Sequence, residues 1–349
     1  MISCNTVLVL GAGASMPYGF PSGVGLIQEI CTSVEDRSTP YHLVRIALNG
    51  LLPQEVTFGD PEEHIQNFTT RLRDSELYSV DRFLAENKKY STVGRMFIAA
   101  IIRSCESADM FNADSIRKRK RGGHWLRLFL NKLRNSLNRS HRRFADNKLS
   151  VVTFNYDRSL EEYINSTVPN WYAEDTNPEE IRRISSSVDV FHVYGDVDVK
   201  RAYHRSPPEI GFADDPPTSA EIYVLRNVFT TIHDWTSEPE ETDSIQRAKR
   251  ALSDADQILF LGFGFDSMNL NILGIDDDFL SDCSRKRCLS GKRFLAGTCL
   301  GMGWAEKADV SRSLNEKLTP VTADKWSHKK NHLYELDCYN FFRFADVIR

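Results

Sequence analysis

Residues 6–15 read TVLVLGAGAS, and this stretch decides the fold. A short continuous run of β-branched and leucine residues is typical of a strand that is buried on both faces of a parallel sheet. The run leads directly into Gly11 and Gly13, and glycines permit the tight turn that must follow such a strand. Residues 17–34 then bring apolar side chains at helical spacing. The order of strand, glycine turn and helix is therefore predicted at the start of the chain.

Strand and helix signals alternate again in the second half of the chain. The predicted strands are 149–156, 188–195, 220–225, 257–266 and 292–301, and helical stretches lie between several of them. Strands that alternate with helices are typical of a mostly parallel sheet with helices on both faces. The sequence therefore predicts an α/β protein with a Rossmann-like sheet.

Residues 36–147 differ in composition from the rest of the chain, because they are rich in charged residues and contain few runs of β-branched residues. They contain several helical patterns, of which VGRMFIAAIIRSC at 93–105 is one. We predict one α/β domain over residues 1–310 with a helical insertion at about 36–147. Residues 311–349 are expected to pack against it as helices.

Composition places the chain among ordinary globular proteins. Its 349 residues are 41% hydrophobic and 26% charged, with a formal net charge of −4. There is no run of about 18 apolar residues, and the first residues show no basic leader with a cleavage site. The expectation is a cytoplasmic protein that does not associate with membranes.

The cysteines favour neither disulfides nor a metal. Seven of them occur without regular spacing, at positions 4, 31, 105, 283, 288, 299 and 338. An odd and irregular set does not form a disulfide framework, and no second close pair completes a zinc site. We therefore expect no metal in this protein.

The segment Arg117–Arg143 is strongly basic, with eleven Lys or Arg residues and no Asp or Glu. Its helical phase gives an apolar face formed by Trp125, Leu126, Phe129, Leu130 and Leu133. The cations around that face are explained by a solvated helix surface. A surface for an acidic partner, or for the phosphate backbone of nucleic acid, explains them equally well.

Two strand ends carry glycine turns. In Gly11–Ser15 the glycines let the backbone approach a pyrophosphate, although Met16 stands where the usual GxGxxG pattern has its third glycine. A plain tight turn is the alternative. Leu261–Asn269 forms a second turn of this kind, which runs from an apolar strand through Gly262 and Gly264 into small polar residues.

Two further strand ends carry polar side chains. Asn155 and Asp157 follow an apolar strand, at the edge where open α/β sheets bind ligands, or they serve as turn formers or a helix cap. His192 and Tyr194 alternate along the next strand and are therefore expected on one face. A histidine in a strand is more often a packing residue, yet it is also the side chain best suited to exchange protons near pH 7.

Taken in order, these motifs resemble the sirtuin superfamily, and specifically the prokaryotic sirtuin-like proteins of phage-defence systems. GAGAS with GFPSG, TFNYD, HVYGD and LGFGFDSMN carry the resemblance, which covers most of residues 5–275. The segment YSVDRFLAEN also looks like the SxDxFL helix that is frequent in those proteins.

The resemblance implies that the protein binds NAD as a substrate. The implied binding residues are Gly11, Ala12, Gly13, Ala14, Ser15, Pro21, Ser22, Tyr194, Gly195, Gly262, Gly264, Phe265 and Asn269. The implied catalytic residues are Asn155, Asp157 and His192. In this family the asparagine orients the ribose or the attacking water, the aspartate contacts the nicotinamide carboxamide, and the histidine acts on the ribose hydroxyls.

The departures from the family narrow the implied reaction. The family histidine directly precedes the glycine, and here Tyr194 holds that position while His192 lies two residues earlier. No cysteine occurs between 106 and 282, so the zinc module of the deacylases is missing. Their Asp-Phe-Arg is also replaced, by Ser-Gly-Val at 22–24. Water is then the expected acceptor, and the expected products are nicotinamide and ADP-ribose.

The resemblance also implies a biological setting. The expected role is the NAD-depleting effector of a bacterial antiviral abortive-infection system, with chains that form a homo-oligomer and a HerA-type hexameric ATPase as partner. Nucleic acid would be contacted only through that partner or through the basic residues 117–143. The alternative is a non-catalytic module that binds NAD or ADP-ribose and regulates a partner ATPase or nuclease.

Overall fold

The computed structural model describes residues 2–49, 59–107, 109–120, 122–135, 141–172, 177–197, 232, 242–275, 287–288, 291–292, 294–313, 319–321 and 332–344. Within these ranges the chain is an α/β protein built on a seven-stranded sheet. All neighbouring strands of this sheet run parallel. The predicted fold class, with a Rossmann-like parallel sheet, is confirmed.

The strands follow the alternation that the sequence predicts, but they are shorter. In chain order they are β1 Thr6–Leu10, β2 Leu149–Thr153, β3 Asp189–His192, β4 Gln257–Leu261, β5 Arg287–Cys288, β6 Gly291–Lys292, β7 Phe294–Thr298, β8 Thr319–Val321 and β9 His332–Tyr334. The seven-stranded sheet has the order β3-β2-β1-β4-β7-β9-β8, and β5 pairs with β6 apart from it. The predicted strand at 220–225 lies outside the described residues.

The described α-helices are, in chain order, α1 Ala12–Ser15, α2 Gly23–Glu35, α3 Thr39–Asn49, α4 Pro61–Asp74, α5 Val80–Glu86, α6 Ser91–Cys105, α7 Ala113–Arg119, α8 Trp125–Asn135, α9 Ser159–Thr167, α10 Pro178–Ser185, α11 Asp243–Asp254, α12 Ser267–Ile272, α13 Trp304–Ser313 and α14 Cys338–Phe344. In the described part of the chain between α2 and β2, every regular element is helical. The helical structure predicted for residues 36–147 is thus present in their described part.

Strand β1 lies at the centre of the sheet, because it pairs with β2 on one side and with β4 on the other. All five residues of β1 and all five of β4 are buried. Successive side chains of a strand point to opposite faces, so both faces of the central sheet are covered. The chain moves outward from β1 to β3 and then returns across β1 to β4. The sheet therefore has a topological switch point between β1 and β4, where open α/β sheets form a ligand crevice.

The basic segment uses its apolar face as predicted. Trp125, Leu126, Phe129, Leu130 and Leu133 on α8 are all buried. Their partner is α14 near the C-terminus, whose Phe342 stacks on the Trp125 ring at a centroid distance of 5.8 Å. The hydrophobic face of α8 is thus part of the core, while Arg117, Lys118, Lys120, Arg127 and Arg134 are exposed.

The C-terminal segment 311–349 differs from the expected helical packing. Its described residues add β8 and β9 to the edge of the sheet, and α14 follows them. Each of these strands is only three residues long, which is too short for an alternating pattern to emerge from the sequence. In the described ranges, none of the helices has the combination of length and apolar character that would let it cross a bilayer.

Candidate functional site

A cavity of about 540 Å³ opens at the carboxyl ends of the central strands. Binding pockets for small molecules commonly enclose about 300–1,000 Å³. Its walls come from four loops of the sheet and from the helical insertion. The glycine, polar and charged residues that line it include Gly11, Gly13, Ser15, Ser22, Gly23, Tyr78, Asp81, Arg82, Asn155, Tyr156, Asp157, Tyr194, Gly262, Gly264, Asp266, Asn269 and Glu306, and Pro21 lies beside them.

The two glycine turns are packed directly against each other. The Gly13 amide donates a hydrogen bond of 3.0 Å to the Gly262 carbonyl oxygen. A Cβ atom on Gly262 would lie 2.2 Å from the Ala14 nitrogen, and one on Gly11 would lie 2.6 Å from the Gly262 oxygen. Gly262 also has a φ of +58°, which L side chains rarely adopt. These glycines are therefore required by the contact between the turns, whatever they also offer a ligand.

Gly264 is a glycine of a different kind. A Cβ atom placed there would meet no atom of the described residues within 4 Å, its chain neighbours aside, and the residue lines the cavity. Its backbone φ is not positive, so an L residue can adopt its conformation. Neither packing nor backbone conformation demands glycine at this position, so its missing side chain leaves open space in the cavity.

The first glycine turn is held from behind by the basic segment. The Trp125 indole Nε1–H donates to the Ala14 carbonyl oxygen at 2.7 Å, and the Leu126 amide donates to the Tyr18 hydroxyl at 3.0 Å. Both contacts are buried. The start of α8 thus fixes the position of the turn that follows β1.

Helix α2 begins at the cavity wall. Ser22 is its N-cap, and the Ser22 hydroxyl accepts a hydrogen bond of 3.0 Å from the Gly25 amide. Pro21, Ser22 and Gly23 all line the cavity. The amide groups of a first helical turn and the helix dipole favour a negative charge, so this corner suits an anionic group of a ligand.

Asn155 connects the loop after β2 to the turn after β1. Its amide Nδ2 donates to the Gly11 carbonyl oxygen at 3.0 Å and to the Ser15 hydroxyl at 2.9 Å. The side chain is buried and lines the cavity. Both amide hydrogens are therefore used to join two loops that are 140 or more positions apart in sequence.

Asp157 extends this network on the same loop. Its carboxylate accepts hydrogen bonds from the Ser159 amide and hydroxyl, at 3.1 and 2.5 Å. Burial raises the pKa of the Asp157 carboxyl, and hydrogen bonds with Ser15 and Ser159 partly offset that effect. Asp157 thus both lines the cavity and acts as the turn former that the sequence allowed as an alternative.

His192 lies behind the cavity wall. Its Nδ1 contacts the Asn155 backbone oxygen at 2.9 Å, and its Nε2 contacts the Glu161 carboxylate at 2.8 Å. Burial alone would lower the pKa of His192, but the charge and the hydrogen bond of Glu161 raise it to about 9. His192 is therefore an imidazolium near neutral pH and donates both ring hydrogens within the protein.

Tyr194 faces the cavity, and His192 does not. Strand β3 ends at His192, so the alternation that placed both side chains on one face does not extend to Tyr194. The Tyr194 hydroxyl donates to the Asn269 side-chain oxygen, and its ring stacks on Tyr156 at 6.1 Å. The expectation that His192 and Tyr194 point to one face is therefore wrong, and of the two only Tyr194 lines the cavity.

The helical insertion contributes to the same cavity through the first turn of α5. Ser79 is the N-cap of this helix, and Asp81 in its first turn lines the cavity. The Tyr156 hydroxyl donates to one Asp81 oxygen, and the Ser79 hydroxyl lies 3.3 Å from the other. Burial raises the pKa of the Asp81 carboxyl, and these two hydrogen bonds partly offset it. A carboxylate from the insertion thus contacts a tyrosine that directly follows Asn155.

The cavity is acidic. Its described lining residues carry four carboxylates, Asp81, Asp157, Asp266 and Glu306, against one cationic side chain, Arg82. Arg82 lies 3.5 Å from Glu86 on its own helix. In the described part of the chain, no group of three or more His, Cys, Asp or Glu side chains is arranged to hold a metal ion.

Most of the predicted site residues come together. The catalytic candidates Asn155 and Asp157 line the cavity, together with the binding candidates Gly11, Ala12, Gly13, Ser15, Pro21, Ser22, Tyr194, Gly262, Gly264 and Asn269. Ala14, His192, Gly195 and Phe265 do not line it. Phe265 instead packs between Phe260 and Phe263, at ring distances of 5.1 and 5.2 Å.

Sequence reasoning missed the contribution of the insertion. Asp81 lies within the SxDxFL pattern and Tyr156 within the TFNYD motif, and neither pattern indicates that these two side chains contact each other. Helix position gives no hint that Asp81 faces the site, because an acidic residue in a first helical turn is common for capping reasons alone. The only signal in the sequence is the presence of the polar residue Asp81 in the SxDxFL pattern of the insertion.

No family model matches the chain, and no curated protein shows significant sequence similarity to it.

Proposed function

We propose that the protein is an NAD hydrolase that releases nicotinamide and ADP-ribose. The observation that carries the proposal is the convergence of four loops over one cavity, in which Asn155 bonds to the first glycine turn at Gly11 and Ser15. A cavity at the switch point of a parallel sheet is the usual place for a dinucleotide.

The walls suit the parts of this substrate. Backbone amides at the start of α2 favour the pyrophosphate. The Gly11 and Gly13 amides are bonded to Leu261 and Gly262, so the glycine turn contributes close approach to the backbone and no free donor at these two positions. The carboxylates Asp81 and Asp157 and the tyrosine rings beside them favour the cationic nicotinamide ring, because a positive charge is attracted by anions and by aromatic faces. Gly264 leaves room for one end of the molecule.

Hydrolysis of the bond between nicotinamide and ribose does not require a strong base. The bond between nicotinamide and ribose breaks with development of positive charge on the ribose, so positioning and charge stabilisation dominate the rate. Asn155 holds the loop over which the ribose would lie, and the His192 imidazolium fixes the backbone of Asn155 from behind. Water is the acceptor that completes the hydrolysis.

The biological part of the proposal follows the motif resemblance. We place the enzyme as the NAD-depleting effector of a bacterial antiviral abortive-infection system, which acts in the cytoplasm as a homo-oligomer with a HerA-type hexameric ATPase. The exposed cations of residues 117–134 offer a surface for an acidic partner or nucleic acid.

A second candidate is a non-catalytic module that binds NAD or ADP-ribose and regulates a partner. Two observations favour it. Tyr194 replaces the family histidine, and among the described residues that line the cavity there is no histidine. Both amide hydrogens of Asn155 are also engaged within the protein.

The test is nicotinamide release from NAD, followed by chromatography, for the wild type and for Asn155→Asp. The variant keeps the size of the side chain but loses the donor to Gly11, and we expect kcat to fall by about 10²–10³-fold. The matched control is Asn170→Asp, at an exposed asparagine whose amide also donates to a backbone carbonyl.

Circular dichroism and the unfolding midpoint establish that each variant is folded. Wild-type protein that binds NAD without releasing nicotinamide would favour the second candidate. Equal release by the wild type and by folded Asn155→Asp would contradict the role of Asn155.

A further inference from the structure

The proposed hydrolysis needs a group that accepts the proton of the attacking water. Histidine is the common proton acceptor near neutral pH, but the described lining residues include none. His192 is buried behind the wall and donates through both ring nitrogens. The acceptor must therefore be sought among the carboxylates of the cavity.

The four carboxylates of the cavity differ in the groups that donate hydrogen bonds to them. Asp157 is buried and satisfied by its own turn through Ser159. Asp266 is exposed and caps α12 by accepting from the Met268 amide at 2.9 Å. Glu306 is exposed and accepts from the Gly303 amide. Each of these three groups stabilises local backbone.

Asp81 differs from them in position. Its side chain is only partly buried. The carboxylate accepts from the Tyr156 and Ser79 hydroxyls and from its own backbone amide, and Tyr156 belongs to the loop of Asn155. Tyr156, which donates to Asp81, also stacks on Tyr194. A carboxylate accepts about four hydrogen bonds, so these three donors leave capacity for a water molecule.

We propose that Asp81, supplied by the helical insertion, is a catalytic carboxylate of this cavity and the base that accepts the proton of the attacking water. The inference rests on the proposed hydrolase function. It gives the insertion a direct part in the chemistry, since α5 carries the base and the sheet loops carry Asn155.

The step balances as a hydrolysis. The bond from ribose C1′ to the nicotinamide nitrogen breaks, and its electron pair leaves with nicotinamide as a neutral molecule. The water oxygen forms a new bond to C1′, and one water proton passes to an Asp81 carboxylate oxygen. That proton then leaves to solvent, so NAD and water give nicotinamide, ADP-ribose and a proton.

The surroundings of Asp81 suit a base. Burial raises the pKa of the Asp81 carboxyl above that of a free aspartate, which increases its affinity for a proton. Tyr156 and Tyr194 face it from the loops after β2 and β3, and Ser79 and Arg82 lie beside it on its own segment. The Tyr156 hydroxyl stabilises the charged form through its hydrogen bond.

The first experiment compares Asp81→Asn with wild type in steady-state nicotinamide release and in calorimetric binding of NAD. We expect kcat to fall by about 10²–10⁴-fold and NAD affinity to weaken by a much smaller factor, because Asp157 remains to attract the nicotinamide ring. Asp114→Asn is the matched control, because Asp114 also lies in the first turn of a short helix but is exposed and pairs with Arg117. The control should keep wild-type kcat.

The second experiment uses the pH dependence of kcat in wild type and Tyr156→Phe. The rate should rise with pH as Asp81 loses its proton. Tyr156→Phe keeps the stacked ring but removes the hydroxyl that stabilises the carboxylate, so the pKa of Asp81 rises and the acid limb should move to higher pH. A purely structural role of Asp81 would not move that limb.

The outcomes separate this inference from the proposed function. If wild type hydrolyses NAD and folded Asp81→Asn does so within about tenfold, Asp81 is not the base and the hydrolase function stands. An acid limb that stays in place in Tyr156→Phe also overturns the inference. Wild-type protein that releases no nicotinamide overturns both proposals.

Discussion

The loop after β2 has two sides with different chemistry. On the cavity side, Asn155 and Tyr156 contact polar groups of the glycine turn and of the helical insertion. On the opposite side, the same loop is held by His192, whose positive charge is balanced by Glu161. One motif histidine and one motif asparagine thus lie on opposite sides of a single backbone segment.

Some residues of these motifs can contact a ligand, and others only hold the contacting residues in position. A histidine in a sequence motif suggests proton transfer, but a buried imidazolium with both hydrogens engaged has no proton-accepting nitrogen left. Asp81 lacks any catalytic signature in the sequence, yet its carboxylate opens into the cavity. Position in the fold, more than residue type, distinguishes the two.

The largest effect is expected from His192, on the side of the β2 loop that faces away from the cavity. It is a pH-dependent loss in the free energy of unfolding. The pKa of His192 is raised to about 9 from 6.5, so its contribution is fully present below pH 6.5 and is lost as pH rises through 9. A shift of this size corresponds to a loss on the order of 3 kcal/mol in the free energy of unfolding. Urea unfolding at several pH values measures it.

Glu161→Gln sharpens this prediction. Without the carboxylate the pKa of His192 falls, so the variant should be less stable at pH 6.5 and should show a much flatter dependence up to pH 9. Glu162→Gln, at the next position of α9, is the matched control. An unchanged pH dependence in Glu161→Gln would show that the ion pair does not hold the loop.

A smaller effect is expected on the cavity side from the two glycines after β4. Gly262→Ala places a Cβ atom against the Ala14 nitrogen and forces an unfavourable φ, so we expect a loss of about 1–3 kcal/mol in the free energy of unfolding. Gly264→Ala is the control, and its stability should be unchanged, because the added Cβ atom lies more than 4 Å from the described residues that are not its chain neighbours.

Equal stability of the two alanine variants in chemical denaturation would contradict the close contact between the glycine turns. The measurement also separates glycines required by packing from glycines that leave space for a ligand. Only the second kind leaves the unfolding free energy unchanged when it gains a methyl group.

The parts of the fold that could be predicted from sequence are local. The apolar run 6–10 with its glycine turn gave the central strand, and helical phase gave the buried face of α8. Polar residues at strand ends gave Asn155 and Asp157, because the carboxyl ends of parallel strands converge at one edge. Each of these signals is complete within about a dozen residues.

What could not be predicted depends on contacts between distant segments. Tyr156 and Asp81 meet across 75 positions, and no pattern within either motif indicates that pairing. The end of β3 at His192 follows from the pairing of β3 with β2, and beyond this end Tyr194 lines the cavity while His192 does not. The close contact of Gly11 with Gly262 is likewise a property of two turns together.

Calorimetric titration of NAD into wild type and Gly264→Leu tests the central claim most directly, namely that the four loops form a dinucleotide site. A leucine side chain would extend from Gly264 into space where even its Cβ atom lies more than 4 Å from every described residue other than its chain neighbours. We therefore predict binding by wild type and affinity at least about tenfold weaker in a variant with unchanged unfolding midpoint. No binding by wild type, or equal affinity in both proteins, would contradict it.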